Sequence, residues 1–154
     1  MLKPFTILIF IISILFVSCG GGGSSYTEES PSGCVSSATN FCVKVVSTDS
    51  GNKYSIDGTT QKPLTLTAGT EYTFDQTDST NASHPLALSE TANGTHASGT
   101  EYTTGVTTTG TAGSTGKTTF TPASNAPTPL YYFCKSHSGT VSYTHLTLTT
   151  LYSV

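Results

Sequence analysis

Positive charge is scarce in this chain of 154 residues: Lys and Arg together number six, charged residues make up 10%, and the formal net charge is −3. A nucleic-acid binder neutralises phosphates with clustered Lys and Arg. No such cluster occurs, so nucleic acid is not expected as a partner. Tryptophan is absent and Met1 is the only methionine, so no thioether ligand exists in the body of the chain. Nothing after the first twenty residues shows the apolar spacing of an amphipathic helix, which argues against a helical fold. The acids Glu71, Asp75, Asp78 and Glu90 are scattered along strand ends and form no catalytic carboxylate pair. No serine stands on the strand-to-helix elbow of a hydrolase. Enzymatic catalysis is therefore not expected.

The N-terminal residues indicate the compartment. After Met1-Leu2-Lys3, Phe5 to Val17 is an almost unbroken apolar run, too short for a typical bilayer span and the right size for the core of an export signal. It ends at Phe16-Val17-Ser18-Cys19, which resembles the bacterial lipobox, although Phe16 departs from the usual aliphatic residue. The resemblance implies a signal peptide over 1–18 and a lipidated Cys19 that ties the chain to a membrane, with plain secretion the alternative. Residues 19–33, rich in Gly and Ser, read as a disordered tether. The expected location is the cell envelope, either periplasmic or at the cell surface, with the outer membrane as the expected site of anchoring.

Fifteen glycines and seven prolines, with β-branched and aromatic residues between them, favour short strands joined by turns. Residues 34–154 read as one all-β domain, a sandwich of Greek-key type. Strands are expected over Phe41–Ser47, Tyr54–Ile56, Leu64–Thr67, Glu71–Phe74, Pro85–Leu88, Thr118–Thr121 and Leu130–Phe133. Residues 89–116, rich in Thr and Gly, read as a surface excursion with strand potential only near Tyr102–Thr109. If Cys19 carries lipid in an oxidising compartment, Cys34 and Cys42 are close enough to pair across a short loop, leaving Cys134 alone. Two alternatives stay open: a pairing that uses Cys134, or a buried Cys134 thiol acting as a small hydrophobe.

Cys134-Lys135-Ser136-His137 puts a thiolate and an imidazole in one tight loop after the aromatic strand Tyr131-Tyr132-Phe133. That spacing lets both reach a single metal ion, and His84 offers a second imidazole if the fold brings its loop near. His96 and His145 read as polar surface residues, and Tyr131 to Phe133 as sheet packing. The "YYFCKSHSG" loop, the single histidine about fifty residues upstream and the "YTFD" strand before it resemble the small blue copper proteins of the plastocyanin and amicyanin type. The similarity spans Phe41 to Gly139. It implies a cupredoxin sandwich in which His84, Cys134 and His137 hold one type 1 copper ion. It also implies one-electron shuttling to a redox partner protein, with copper holding or delivery as an alternative task and a metal-free structural or adhesive module as another.

The chain departs from that family at two places. The family's axial methionine has no counterpart, and Thr140 stands where it would fall. Thr140–Leu148 also matches a translation of the transposon end used in library preparation, so residues 140–154 are expected to be a non-native tail. Against this, Thr149 breaks the match, and Val141–Leu148 alternates well enough to serve as a closing strand. Pro85 follows the first histidine, where the family donates a backbone N–H to the cysteine sulfur, and proline has none. Restoring that donor by Pro85→Asn is expected to raise the midpoint potential. His-Pro also recurs in multicopper oxidases, but the extra histidines of those enzymes are missing here.

Overall fold

The computed structural model describes residues 33–140 and 146–149. The expected signal peptide, Cys19, His145 and all but the last residue of the expected tether lie outside them. The described chain is all-β: Asn40–Thr48 (β1), Gly51–Ile56 (β2), Thr59–Thr60 (β3), Leu64–Thr67 (β4), Tyr72–Asp75 (β5), Leu86–Ser89 (β6), Val106–Thr109 (β7), Lys117–Phe120 (β8), Tyr131–Cys134 (β9) and Leu146–Thr149 (β10). Among the described residues only two short 3-10 turns, Ser79–Asn81 and Gly94–Ala97, interrupt them.

Turn chemistry sets the first hairpins. β1 and β2 pair antiparallel from Val43 opposite Ile56 to Thr48 opposite Gly51, leaving only Asp49 and Ser50 as the loop. Gly51 sits at φ +89°, a region that glycine enters without steric cost. Asp57 and Gly58 are both at positive φ, the geometry that a two-residue hairpin loop requires, and they fold β3 back onto β2. Beyond this hairpin the chain crosses between layers. β5 pairs parallel with β1 and antiparallel with β8, giving a mixed six-stranded sheet in the order β3-β2-β1-β5-β8-β7.

A second layer faces this sheet, built from the pairs β4-β10 and β6-β9. Alternation explains why the layers close. Phe41, Val43, Tyr54, Ile56, Tyr72, Phe74 and Phe120 point in from the large sheet; Leu64, Leu66, Leu86, Leu88, Leu130, Tyr132 and Cys134 meet them from the other side. Burial of such side chains stabilises by roughly 1.5–3 kcal/mol each relative to exposure. Of the polar positions between them, Thr65 stays at the surface and Thr73 is half-buried, while Ser55 is buried.

The strand expectations hold to within a residue or two except at β2, which begins three residues before the expected Tyr54, at β3, which lies outside the expected strands, and at the excursion. There the regular strand is confined to β7, and Tyr102 forms an isolated bridge to Leu88. β10 lies parallel to β4, Leu146 opposite Leu64, within the stretch whose alternation allows a closing strand. Residues 141–145 and 150–154 of the expected tail lie outside the described residues. Cys34 and Cys42 form the disulfide, which removes the alternative that Cys134 is paired; Cys134 is a free and fully buried thiol.

Candidate metal centre

Strand period places the cysteine. On β9 and the residue before it, Leu130, Tyr132 and Cys134 share the core face at two-residue intervals. On β6 the same rule puts Leu86 and Leu88 inward, and His84 precedes them by one further period. The register pairs Leu86 with Cys134, so the end of β6 brings His84 alongside the sulfur. Lys135 N–H donates to the Pro85 carbonyl at 2.9 Å, which extends the pairing by one bond and fixes the start of the Cys134 loop.

The three expected ligands converge. His84 Nδ1 is 3.6 Å and His137 Nδ1 is 3.7 Å from Cys134 Sγ, the two imidazole centroids are 4.4 Å apart, and the ligating atoms all lie within 4.8 Å of one another. Metal–nitrogen bonds of about 2.0 Å and metal–sulfur bonds of about 2.3 Å, at angles of about 110–120°, separate ligand atoms by roughly 3.5–3.7 Å. Both sulfur-to-nitrogen distances fit that edge. The cysteine is buried within the core, and His137 is exposed at the mouth. A shallow cleft lined by Ser50, Asn52, His84, His137, Ser138 and Thr140 opens there.

His84 is held by its main chain and by what surrounds it. Its N–H donates to Asn81 O at 2.8 Å, and Ser83 before it adopts the left-handed φ of +66°. Its carbonyl accepts two bonds of 2.8 Å, from Tyr54 Oη and from Gln76 Nε2. Gln76 reaches past Pro85 with its other end, where Oε1 accepts Leu86 N–H at 2.9 Å. One buried amide therefore clamps both sides of the His-Pro dipeptide. Asn81, fully buried, anchors this turn to the large sheet by donating to Val43 O at 2.7 Å.

The protonation states suit metal binding. Burial, and then the neighbouring His137, lower the pKa of His84, which favours the neutral imidazole that a metal needs. Burial, and then Cys134, push the Tyr54 phenol well above its usual value. Tyr54 is thus a neutral hydroxyl, bonded to the His84 carbonyl.

The stretch read from sequence as a surface excursion supplies the other wall of the centre. Asn93 Oδ1 accepts Gly139 N–H at 3.1 Å, and Asn93 Nδ2 is 3.3 Å from Ser138 Oγ. Gly94 packs on the Phe133 ring, and His96 Nε2 lies 2.9 Å from the Cys134 carbonyl. His96 is an exposed polar residue as expected, yet it touches the cysteine's main chain. These contacts span 38 to 46 positions, and no local pattern encodes them. On the opposite side Lys53 donates to the Gly139 carbonyl.

A thiolate with two imidazoles is a donor set for copper or zinc. Among the described residues no other His, Cys, Asp or Glu joins the group. His84, Cys134 and His137 can hold a metal ion. No protein-family model, no curated protein and no solved structure matches this chain.

Proposed function

We propose that the protein is a copper-binding electron-transfer protein of the cupredoxin kind, acting as a one-electron shuttle at the cell envelope. The observation that carries this reading is one buried thiol with two imidazole Nδ1 atoms at 3.6 and 3.7 Å, inside an all-β scaffold. Bound copper would supply one-electron redox chemistry at this donor set. The chain's part is to hold the donors still and keep water from the sulfur. Cys134 sits at the end of a packed strand, His84 is clamped by Gln76 and Asn81, and the His137 loop is tied to Asn93 and Lys53. Donors fixed in advance leave little to rearrange when charge changes.

The exposed His137 ring gives a redox partner protein the shortest approach to the sulfur. The lipobox-like segment ending at Cys19 supports attachment to a membrane through an N-terminal lipid, and the isolated three-ligand set supports electron transfer over catalysis. The test is the absorption spectrum and voltammetry of copper-loaded protein whose C-terminus has been verified at the DNA level. An intense visible thiolate-to-copper band, reversible cycling and loss of both in Cys134→Ala are expected. Tight Cu(I) binding without the band would instead indicate a copper-holding or delivery protein. Failure to retain copper at all, with no change in Cys134→Ala, would leave a metal-free structural or adhesive module.

A further inference from the structure

His96 is exposed, yet its ring is tied to the metal centre. Its Nε2 lies 2.9 Å from the carbonyl oxygen of Cys134. A carbonyl only accepts, so Nε2 carries the proton of this bond. Exposed side chains ordinarily move between rotamers. This one is held.

Main-chain geometry fixes the turn that carries it. Asn93 and Ser98 bracket Gly94–Ala97 in the left-handed region, His96 N–H donates to Asn93 O at 3.1 Å, and Gly99 N–H donates to Gly94 O at 3.0 Å. The turn seats on β9 because Gly94 has no side chain: a Cβ there would stand 2.5 Å from carbons of the Phe133 ring. The imidazole meets that same ring edge-on, with 6.3 Å between centroids and 84° between planes.

The consequence is a continuous bonded route from the sulfur to solvent. It runs through Cys134 Sγ, Cβ, Cα, C and O, then crosses one hydrogen bond to the imidazole. Electrons tunnel more readily along covalent and hydrogen bonds than across the gaps between packed groups, and the thiolate where this route starts is the softest of the donors. The route also reaches its own face. The cleft at the His137 mouth is lined by residues 50–52, 84 and 137–140 and by none from the turn. A one-electron shuttle is reduced by one protein and oxidised by another, and two faces let those partners dock apart.

We propose that His96 is a second electron port, its imidazole bridging the Cys134 main chain to a redox partner protein docked on the 94–97 turn. This rests on the copper reading above. One electron leaves the centre and one reduces the partner's cofactor; His96 bridges them and keeps its own electrons and protons. Residues 95–98 are exposed and include no Asp, Glu, Lys or Arg, and Lys135 beside the cysteine is paired with Glu101 at 2.8 Å. The partner that fits is one whose cofactor has an uncharged rim.

The experiment uses the full chain, copper-loaded, with a photoactive ruthenium label standing in for the partner's cofactor. In Thr95→His, the singly labelled isomers carrying ruthenium on His96, through Nδ1, or on the imidazole introduced at position 95 are separated and mapped. After a flash, the rate of electron transfer between label and copper is read from the visible thiolate band. Both isomers share one copper centre and one turn, and only the label at 96 has the bond to the Cys134 carbonyl. Transfer from position 96 should be several-fold faster. Equal or slower transfer from 96, in protein that shows the thiolate band, would overturn the port and leave His96 as a cap on the carbonyl. A protein without that band overturns the copper reading, and the port with it.

Discussion

Replacing Gln76 by leucine tests whether the His84 turn is held by its clamp. The side chain is 2% exposed, and Leu is close to it in volume, so no sizeable cavity opens. Three bonds go: Gln76 Nε2 to His84 O at 2.8 Å, a longer one from Gln76 Nε2 to Asn81 Oδ1 at 3.4 Å, and Leu86 N–H to Gln76 Oε1 at 2.9 Å. The losses differ in cost. His84 O keeps Tyr54, so its share is that of an ordinary bond, about 1 kcal/mol; the long Asn81 contact adds little; Leu86 N–H becomes a buried, unpaired donor at about 1–3 kcal/mol. A total of about 3 kcal/mol follows. For a domain of about 110 residues, with an unfolding entropy of about 2.1 cal/mol/K per residue, that lowers Tm by roughly 13 °C. The assay is urea unfolding of metal-free protein, where Cm should fall with little change in m, followed by chelator competition on the copper-loaded form. Copper affinity should fall as well, because His84 loses one of the bonds that hold its backbone. A variant within about 0.5 kcal/mol of wild type, the ordinary range for an inconsequential surface change, would refute the clamp.

Three further outcomes are expected. Gly94→Ala should destabilise by about 2 kcal/mol or more in a thermal melt, because the residue sits at φ +50° and a Cβ would lie 2.5 Å from carbons of the fully buried Phe133 ring. Reducing Cys34–Cys42, which closes a loop over a sequence separation of 8, should cost about 2.5 kcal/mol by loop entropy; urea midpoints with and without reductant check it. Acid should weaken the fold through Asp75 and Asp78. Burial alone would raise both pKa values, but hydrogen bonds from Thr77 with Lys117, and from Thr80 with Lys44, outweigh it and hold both low. A carboxylate with a depressed folded pKa binds fewer protons than its unfolded counterpart. Its stabilising contribution is therefore full above the unfolded value of about 3.9 and is lost as pH falls through the folded one. Asp75→Asn with Asp78→Asn should flatten the acid limb of a plot of urea midpoint against pH.

How much of this was legible in the sequence depends on how far apart the cooperating residues lie. Local alternation and turn residues sufficed for the strands, since Asp57-Gly58 and the 64–67 and 72–75 runs carry their geometry within a few positions. Cys134 and His137 were legible for the same reason: they stand three positions apart, and one loop holds both. His84 needed an assumption about the fold, and the Leu86–Cys134 register supplies the physical reason it holds. The supporting contacts were not legible. Gln76 looks like any polar residue at the end of a strand, and Tyr54 like any aromatic in a hairpin. Only tertiary packing turns Gln76 past Pro85 and puts the Tyr54 hydroxyl on His84, 30 positions away. Residues 89–116 show the same limit, because Thr- and Gly-rich composition signals loop but says nothing of Asn93 and His96 reaching the Cys134 loop.

The placing of rigidity around the centre follows from this division. His84 and Cys134 depend on the core: one is clamped by buried amides, and the other ends a strand whose Tyr132 and Phe133 are fully buried. His137 instead depends on an exposed loop, tied by Asn93 on one side and Lys53 on the other. A metal-free chain therefore keeps two of the three donors in register whether or not an ion arrives, and the third can open without disturbing the core. Ion entry should pass through the His137 side. Loosening that side alone separates entry from stability: Asn93→Gly removes the acceptor for Gly139 N–H at the surface and, at the left-handed φ of 64°, adds no steric strain. Copper release to a chelator should speed up several-fold, while the urea midpoint should fall by the equivalent of about 1 kcal/mol at most. Equal losses in both would mean that the His137 loop and the core unfold as one unit, and the proposed division would be wrong.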